Sequence, residues 1–264
     1  MSDQAQFSML PIPAFNDNYI WAICHGSACT VVDPGDAEPV IAFLQEKDLK
    51  LHSILITHHH ADHVGGLKTL LSRYSVPVYG PKGGHIEGIS TAVGEADQLE
   101  VVGGFRLQVI TVPGHTLDHI AYFGKQPGDD SPALFCGDTL FAGGCGRIFE
   151  GTPEMMYQSL QRLSSLPGNT RVYCAHEYTL KNLEFASLAE PQNTDLQQRI
   201  EAEKTKRAKH LPTLPSTIEL ELRTNPFLRC HNDSLKQRVI DHSSAEINDD
   251  CGTFAALRRW KDNA

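Results

Sequence analysis

Four histidines and one aspartate lie within six positions of this 264-residue sequence, directly after a short apolar run. The apolar run is Ile54-Leu55-Ile56, and the polar residues that follow Thr57 are His58, His59, His60, Asp62 and His63. Imidazole nitrogens and carboxylate oxygens are preferred ligands of borderline divalent metals. A lone histidine after a strand is usually an ordinary polar residue. An ordered H-x-H-x-D-H run after a strand predicts a metal site.

The spacing within this run predicts two adjacent metal ions. His58 and His60 are two positions apart, so both side chains leave an extended backbone on the same side. His59 points the other way, which indicates a supporting or structural role outside the ligand set. Asp62 and His63 follow where the chain turns into a predicted helix at 64–74. One loop therefore offers two pairs of ligands.

Composition excludes several classes of protein. A hydrophobic content of 41% with 21% charged residues is typical of a soluble globular protein. The net charge of −9 without a basic stripe argues against nucleic-acid binding. No apolar run approaches the ~20 residues that a membrane span needs. Residues 1–6 have no features of a secretion signal, so we expect a cytoplasmic protein.

The cysteines do not indicate a disulfide framework. They are odd in number, seven, and none is spaced as C-x-x-C. Cys136 and Cys174 lie in apolar strand-like runs, so we expect them to be small core residues.

Hydrophobic patterns predict a two-layered β-rich region followed by a helical one. Strands are predicted at 8–12, 19–24, 29–32, 51–57, 76–79, 98–101, 105–112, 120–123, 133–136 and 171–174. Helices are predicted at 37–47, 64–74, 153–166, 178–189, 195–210 and 251–261. Two strand-rich halves with helices predict two sheets packed face to face with helices outside. The pattern changes after Cys174, and we place a domain boundary near residue 180.

Three further candidate ligands each follow an apolar strand. They are His115 after a Pro-Gly turn, Asp138 after a glycine, and His176 after an alanine. Each alone could be an ordinary strand-end residue. Together with the histidine run they predict that several strand ends converge on one cleft.

Four short segments that contain the candidate ligands resemble motifs of the metallo-β-lactamase superfamily. They are T-H-H-H-A-D-H at 57–63, P-G-H-T at 113–116, G-D-T at 137–139 and A-H-E-Y at 175–178. Three others are similar to the glyoxalase II (hydroxyacylglutathione hydrolase) family. They are N-D-N-Y at 16–19, G-C-G-R-I-F-E-G at 144–151 and R-R-W-K-D at 258–262. The similarity extends from about residue 12 to residue 262.

The resemblance implies an α+β fold, an αββα sandwich of two packed mixed sheets with outer helices plus a C-terminal helical domain. It implies a catalytic domain at 1–179 and a substrate-binding helical domain at 180–264. One metal would be held by His58, His60 and His115, and the other by Asp62, His63 and His176, with Asp138 bridging them. Zinc is the first expectation, with iron and manganese as alternatives.

The resemblance also implies a glutathione site formed by Arg147, Tyr178, Asn182, Arg258 and Lys261. Some family members have a lysine at position 147 and a tyrosine at position 149. Arg147 keeps the charge, whereas Phe149 has no hydroxyl and is left out of the set. Arg259 is expected at the surface. Cations at the end of the last helix are also favoured by the helix dipole, which is the alternative explanation for this cluster.

The implied reaction is hydrolysis of S-D-lactoylglutathione, and of related 2-hydroxyacylglutathiones, to the hydroxy acid and glutathione, a step in methylglyoxal detoxification. Asp62 and Asp138 would be the catalytic carboxylates beside a water activated by the metals. No general acid is required for a thiolate leaving group, and Cys145 has no paired base and is not a candidate nucleophile.

Several alternatives share this ligand set. A lactonase, a β-lactamase or a phosphodiesterase could use it, but the basic last helix favours a glutathione-shaped substrate. A dinuclear iron electron-transfer module would favour a carboxylate at position 60 and would need a flavin domain. A metal-buffering protein would not need the glutathione contacts. We expect a monomer with no membrane or nucleic-acid partner.

Overall fold

The computed structural model describes residues 7–83, 86–243 and 247–264, so the N-terminal segment considered for a secretion signal lies outside the described residues. The chain divides into two compact units. The first unit is Met1–Thr111 with Asp118–Gly137, and the second is Val112–Leu117 with Asp138–Ala264. Among the described residues, the structure contains no helix with the length and apolarity that crossing a bilayer requires.

The first unit contains two groups of strands. The first group is β1 (Phe7–Ala14), β2 (Asn18–His25), β3 (Ala28–Val32), β4 (Lys50–Leu55), β5 (Val78–Pro81) and β6 (Thr91–Val93), paired in that order. Pairing is antiparallel from β1 to β3 and parallel from β3 to β6. The second group is β7 (Gln98–Val101), β8 (Phe105–Thr111), β9 (Ile120–Lys125) and β10 (Ala133–Gly137), joined in antiparallel order. A 3₁₀ turn, Val102–Gly104, connects β7 to β8.

The two groups of strands pack against each other through buried side chains. Tyr122 of β9 is fully buried, and its hydroxyl donates to the carbonyls of Ile56 and Tyr79 at 2.8 and 3.2 Å. The ring of Phe7 contacts that of Phe105 edge-on, with centroids 6.0 Å apart. A buried phenol is normally hydrogen-bonded, so Tyr122 ties the backbone of one sheet to the other.

Helices cover the outer face of the first sheet. They are α1 (Ala37–Glu46), α2 (Ala61–Val64) and α3 (Leu67–Arg73). Asp36 caps α1 by accepting a hydrogen bond from the Glu38 amide at 3.1 Å. Val40, Ile41 and Leu44 form the buried face of α1 and pack into the core formed with β1 to β5.

The predicted helix at 64–74 is wrong in one respect, because it is interrupted. The chain forms the single turn α2, passes through Gly65 and Gly66, and starts α3 at Leu67. A Cβ on Gly66 would lie 2.4 Å from the Pro34 carbonyl oxygen, and one on Gly65 would lie 2.6 Å from the Gly35 oxygen. The glycines are therefore required by close approach of the loop after β3. Similarly, β4 ends at Leu55 rather than at residue 57.

The second unit is mainly helical. Its helices are α4 (Pro153–Ser164), α5 (Thr179–Ala189), α6 (Thr194–Ala208), α7 (Ile218–Thr224), α8 (Asp233–Ser243) and α9 (Asp250–Asp262). Its short strands are β11 (Leu140–Phe141) paired with β12 (Gly144–Cys145), and β13 (Arg171–Cys174) paired with β14 (Ser216–Thr217). A 3₁₀ turn, Pro226–Leu228, follows α7. The helices α7 and α8 were not predicted from sequence.

The expected fold class is confirmed: two β-sheets with helices, followed by a C-terminal helical region. The domain boundary at residues 179 and 180 stays a prediction. All seven cysteines lie within the described residues and all are free thiols, with Cys136 and Cys174 fully buried. Their expected role as core residues is confirmed.

Candidate active site

The loop after β4 brings four predicted ligands of the first unit close together. His58 and His63 are fully buried, and His60 and Asp62 are half-buried. Candidate ligand atoms lie within 4.8 Å of each other in three pairs: His58 with His60, His58 with His63, and Asp62 with His63. These side chains therefore share one small volume at the end of the strand.

Asp33, at the end of β3, orients this loop. Its carboxylate accepts hydrogen bonds from the amide and the hydroxyl of Thr57, both at 2.7 Å, and lies 3.0 Å from Nδ1 of His63. Because β3 and β4 are adjacent parallel strands, their ends place Asp33 next to Thr57. Asp33 has a φ of 53°, a left-handed conformation that aspartate tolerates better than most residues.

Neighbouring oxygens favour one tautomer for each of two histidines. Nδ1 of His63 lies 3.0 Å from the Asp33 carboxylate without hydrogen-bond geometry, and this negative charge favours the tautomer with the proton on Nδ1 and the lone pair on Nε2. The Thr57 hydroxyl donates to Asp33, so it accepts from Nδ1 of His58 at 3.0 Å. Both rings therefore direct a basic Nε2 away from the supporting oxygen, as metal-binding histidines do.

Asp62 and His59 have separate partners. Asp62 accepts a hydrogen bond from the Asn18 side-chain amide at 3.0 Å, and its Oδ2 lies 3.5 Å from Nε2 of His63. Nδ1 of His59 lies 3.0 Å from Asp118. His59 and Asp118 also belong to a group of side chains that could hold a metal ion, so the placement of His59 outside the ligand set stays a prediction. His119, which the sequence did not single out, stacks on His58 with ring centroids 4.5 Å apart.

The second unit holds the other three predicted ligands. Oδ2 of Asp138 lies 3.5 Å from Nε2 of His115 and 3.3 Å from Nε2 of His176. Nδ1 of His115 donates to the Arg147 carbonyl oxygen at 2.7 Å, which leaves the lone pair on Nε2. The donor set of buried imidazoles and carboxylates fits zinc, iron or manganese in both units.

A cavity of about 410 Å³ opens beside these ligands in the second unit. Its lining includes two of the predicted metal ligands and all five predicted glutathione contacts. The lining residues are His115, Asp138, Phe141, Cys145, Arg147, Phe149, Tyr178, Lys181, Asn182, Arg258 and Lys261. Imidazole and carboxylate groups therefore share a cavity with four cationic side chains.

The inner wall of the cavity is a polar cluster between α5 and α9. Arg258 is 4% exposed; it donates to the Cys145 carbonyl at 3.1 Å and to Asp262 at 2.8 Å. Lys261 donates to the side-chain carbonyl of Asn182, whose amide donates to the Ala142 carbonyl at 3.0 Å. Arg258 is thus held by a carbonyl and a carboxylate, and Lys261 by an amide oxygen. Both cations line the cavity.

Burial shifts two titratable groups of this wall. Burial, and then the neighbouring Arg258, lower the pKa of Lys261 from 10.5 to about 8. Burial raises the pKa of the Cys145 thiol despite the nearby cations. A thiol held in its neutral form is a poor nucleophile, in keeping with its exclusion from the chemistry.

The remaining predicted contacts lie at the mouth of the cavity. Tyr178 stacks on His176 with ring centroids 4.6 Å apart and planes inclined by 5°. Arg147 is exposed and its Nε lies 3.7 Å from Asp262. Phe149 is 63% exposed, and its ring meets that of His115 edge-on. Arg259 is exposed, as expected from the sequence.

Sequence reasoning missed a buried network that supports the cavity wall. Glu221 of α7 is fully buried and accepts hydrogen bonds from the Gly143 amide at 2.8 Å and from Arg199 at 2.5 Å. Asn225 donates to the Gly144 carbonyl at 2.9 Å and to Glu221 at 3.0 Å. The network holds the β11–β12 hairpin, which contributes Phe141 and Cys145 to the cavity. Only the position of a glutamate inside the otherwise buried face of α7 could have indicated it.

Comparison with known proteins gives family matches from residue 15 to residue 264. Residues 15–176 match the family model of the metallo-β-lactamase superfamily, and residues 177–264 match that of the hydroxyacylglutathione hydrolase C-terminus. The hydroxyacylglutathione hydrolase of Photobacterium profundum is 53% identical over 96% of this chain and 97% of its own length.

Two solved structures are similar in fold. ETHE1 from Myxococcus xanthus has a TM-score of 0.62 and 28% identity, covering 84% of this chain and 83% of its own. The structure of TTHA1623 in a di-iron-bound form has a TM-score of 0.59 and 27% identity, covering 83% of this chain and 100% of its own.

Proposed function

Because the chain belongs to the hydroxyacylglutathione hydrolase family of the metallo-β-lactamase superfamily, we propose that it hydrolyses S-D-lactoylglutathione and related S-2-hydroxyacylglutathiones. The products are D-lactate, or the corresponding hydroxy acid, and glutathione, and the reaction completes methylglyoxal detoxification. The observation that carries the proposal is the cavity in which His115 and Asp138 meet Arg258 and Lys261.

We propose that two divalent cations bind per chain. His58, His60 and His115 would hold one, Asp62, His63 and His176 would hold the other, and Asp138 would be shared between them. Support comes from the oriented Nε2 atoms of His58 and His63 in the first unit and of His115 in the second. The di-iron form of the similar protein TTHA1623 also supports a two-metal site. Zinc is the proposed metal, with iron or manganese as alternatives that fit the same donors.

When bound, such ions supply Lewis acidity and lower the pKa of a water from ~15.7 toward neutrality. The carboxylates of Asp62 and Asp138 are the proposed catalytic groups of the chain itself. They would help to hold the cations, and a carboxylate at this position can accept the proton that the attacking water loses. The water oxygen bonds to the thioester carbonyl carbon, and the carbon–sulfur bond then breaks to release a thiolate.

The leaving group needs no acid from the protein. A thiol has a pKa of ~8.5, so glutathione leaves as the thiolate near neutral pH. The raised pKa of Cys145 keeps that side chain neutral, and burial against Arg258 leaves it as part of the wall. Direct attack by water is therefore favoured over an acyl-enzyme route.

The cationic wall is the proposed glutathione site. Arg258 is buried and Lys261 is half-buried, and both are held by hydrogen bonds, so they can bind a carboxylate without losing much side-chain entropy. Asn182 supplies an amide, Tyr178 a phenol, and the exposed Arg147 a further cation at the mouth. Phe149 offers no hydrogen bond at its ring edge. The binding energy is thus directed to the glutathionyl group rather than to the acyl group.

We also propose a cellular location and an oligomeric state. Seven free thiols are typical of a reducing compartment, so we propose a cytoplasmic location. We also propose that the enzyme is a monomer, since both the ligands and the cationic wall come from this one chain.

A substrate panel tests the proposed function. Metal-replete protein is assayed with S-D-lactoylglutathione, an acyl-homoserine lactone, a penicillin and an activated phosphodiester. We expect kcat/KM for the glutathione thioester to exceed the others by about two orders of magnitude or more. The lactoyl thioester of N-acetylcysteamine, which lacks both glutathione carboxylates, should be a poor substrate through a high KM. Turnover of a rival substrate with no turnover of the glutathione thioester would overturn the assignment.

A further inference from the structure

Two cysteines of the first unit face each other across an antiparallel strand pair, far along the chain from any proposed ligand. Cys24 lies on β2 and Cys29 on β3, and the two are direct Cα partners in the register. Their sulfur atoms are 3.6 Å apart. The connection between the strands is the two-residue turn Gly26-Ser27, in which Gly26 has a φ of 57°.

The position of the pair next to the turn suits a disulfide. In a two-residue hairpin the residues that flank the turn, here His25 and Ala28, exchange backbone hydrogen bonds. The next pair along is then a non-hydrogen-bonded pair, in which directly opposite Cα atoms lie ~4.5 Å apart and side chains approach closely. Disulfides form at Cα separations of ~4.4–6.8 Å. A bond between these sulfurs therefore needs side-chain rotation but no change of register.

We propose that Cys24 and Cys29 form a thiol–disulfide redox site that exchanges with small disulfides such as oxidised glutathione. The site lies in the first unit and does not depend on the metal ligands or on the cavity. It adds a covalent modification to a chain whose cysteines otherwise serve as packing residues.

The two thiols differ in a way that defines their order of reaction. Cys24 is 5% exposed and Cys29 is fully buried. The hydrogen bond between the two sulfurs lowers the pKa of Cys24 and raises that of Cys29. Cys24 also pairs with Ser8 of β1, an edge strand whose first residues are partly exposed. Cys24 is therefore the attacking thiol, reached by local separation of the β1 edge.

The exchange proceeds in two balanced steps. The Cys24 thiol loses its proton and its sulfur bonds to one sulfur of the disulfide, breaking the disulfide bond and releasing one glutathione thiolate. The Cys29 thiol then loses its proton and attacks Cys24, breaking the bond to the remaining glutathione. In total the two cysteines lose two protons and two electrons, and one oxidised glutathione becomes two reduced molecules.

Thiol mapping of the full-length folded protein tests the proposal. The tryptic peptide 1–47 contains both cysteines and no third one. Protein is incubated with oxidised glutathione, alkylated, digested and analysed by mass spectrometry over time. We expect the peptide to become two hydrogen atoms lighter, to resist alkylation, and to revert on treatment with a thiol reductant. The partly exposed Cys251 reports that the oxidant is effective.

Variants and internal controls make the result decisive. In Cys29→Ser the second step is blocked, so Cys24 should retain one glutathionyl group; in Cys24→Ser the attacking thiol is absent, so Cys29 should stay reduced. The buried thiols Cys136, Cys174 and Cys230 measure reaction through global unfolding. The proposal is overturned if both thiols of peptide 1–47 remain alkylatable after Cys251 has reacted. It is equally overturned if they react no faster than the three buried thiols. The wild-type mapping decides the matter alone if either variant fails to fold.

Discussion

The ammonium of Lys261 donates a hydrogen bond to the side-chain carbonyl of Asn182, and this contact joins α9 to α5 at the wall of the cavity. The amide of the same Asn182 is bound to the Ala142 carbonyl, so its oxygen is fixed toward the lysine. The aromatic rings of Phe185 and Phe227 lie 5.8 and 5.5 Å from the ammonium. The charge is therefore held between an amide oxygen and two aromatic rings at the wall of the cavity.

Loss of the Lys261 charge should weaken substrate binding more than it slows chemistry. In Lys261→Gln we expect KM for S-D-lactoylglutathione to rise about 10- to 100-fold, the range of one charge-assisted hydrogen bond. The value of kcat should stay within about twofold, because the contact is made equally in the ground state and the transition state. Arg259→Gln, which removes an exposed cation from the same helix, is the matched control and should change neither constant.

The effect of Lys261→Gln on kcat distinguishes a role of Lys261 in substrate binding from other roles. A loss confined to kcat in Lys261→Gln would contradict a binding role. Steady-state kinetics with the N-acetylcysteamine thioester gives the second readout, since that substrate lacks the carboxylate and should not distinguish the variant from the wild type.

The KM for the glutathione thioester should rise above pH 8. The pKa of Lys261 is lowered to about 8, so the lysine of the free enzyme loses its charge above that pH. We expect KM to increase by up to about tenfold per pH unit there. In Lys261→Arg the cation persists, so the rise between pH 8 and pH 9.5 should be absent. The measurement is a KM profile with the uncatalysed rate subtracted.

The same pKa shift weakens substrate binding at high pH but has a favourable effect on the stability of the fold. The folded pKa lies below the unfolded value of 10.5, so the unfolded chain binds more protons between pH 8 and 10.5. The free energy of unfolding contributed by Lys261 therefore increases with pH in that window. If the KM of the wild-type enzyme stays constant from pH 7 to 9.5, the charge of Lys261 does not contribute to substrate binding.

Asp33 should control metal affinity from outside the ligand set. Asp33→Asn places an amide donor or a weaker acceptor beside Nδ1 of His63, so the ring is no longer held with its lone pair on Nε2. We expect metal affinity to fall about 10- to 100-fold, measured by competition with a chromogenic chelator. Asp36→Asn, which changes the nearby helix cap, should leave affinity unaltered. Unchanged affinity in Asp33→Asn would contradict the assigned role.

Glu221 should be among the most destabilising single sites to change. Its carboxylate is fully buried with Arg199, so Glu221→Gln leaves an uncompensated buried guanidinium. We expect the free energy of unfolding to fall by about 3–5 kcal/mol, measured by urea denaturation. Glu219→Gln on the exposed face of the same helix should cost less than about 0.5 kcal/mol. Equal stability of the two variants would exclude the network as a support of the cavity wall.

Part of the candidate site could be predicted from the sequence, because four of its predicted ligands directly follow one apolar strand. His58, His60, Asp62 and His63 follow one apolar run, and alternation along that run is the basis for predicting that His59 lies outside the set. The contacts of Asp33 with the histidine loop could not be predicted from the local sequence. They depend on β3 and β4 being parallel neighbours, which brings residues 24 positions apart within 2.7 Å.

The second unit shows the same limit. The last helix and its cations carried a family signature, whereas α7 and α8 have weaker signals and were missed. Glu221 functions through contacts with Arg199 and Gly143, which are distant in sequence. Similarly, Gly65 and Gly66 lie inside the helix predicted at 64–74, and only the approach of the loop after β3 explains why they interrupt it.

The central claim, that the chain is a dinuclear metal-dependent thioesterase, is tested most directly by metal titration. Metal-free protein is prepared with a chelator, Zn²⁺ is added in steps, and the initial rate of S-D-lactoylglutathione hydrolysis is followed by loss of thioester absorbance. We expect no activity without metal and a plateau at two equivalents per chain, with Asp138→Asn retaining less than about 1% of the rate. Full activity of the metal-free protein, or a plateau at one equivalent, would contradict the account.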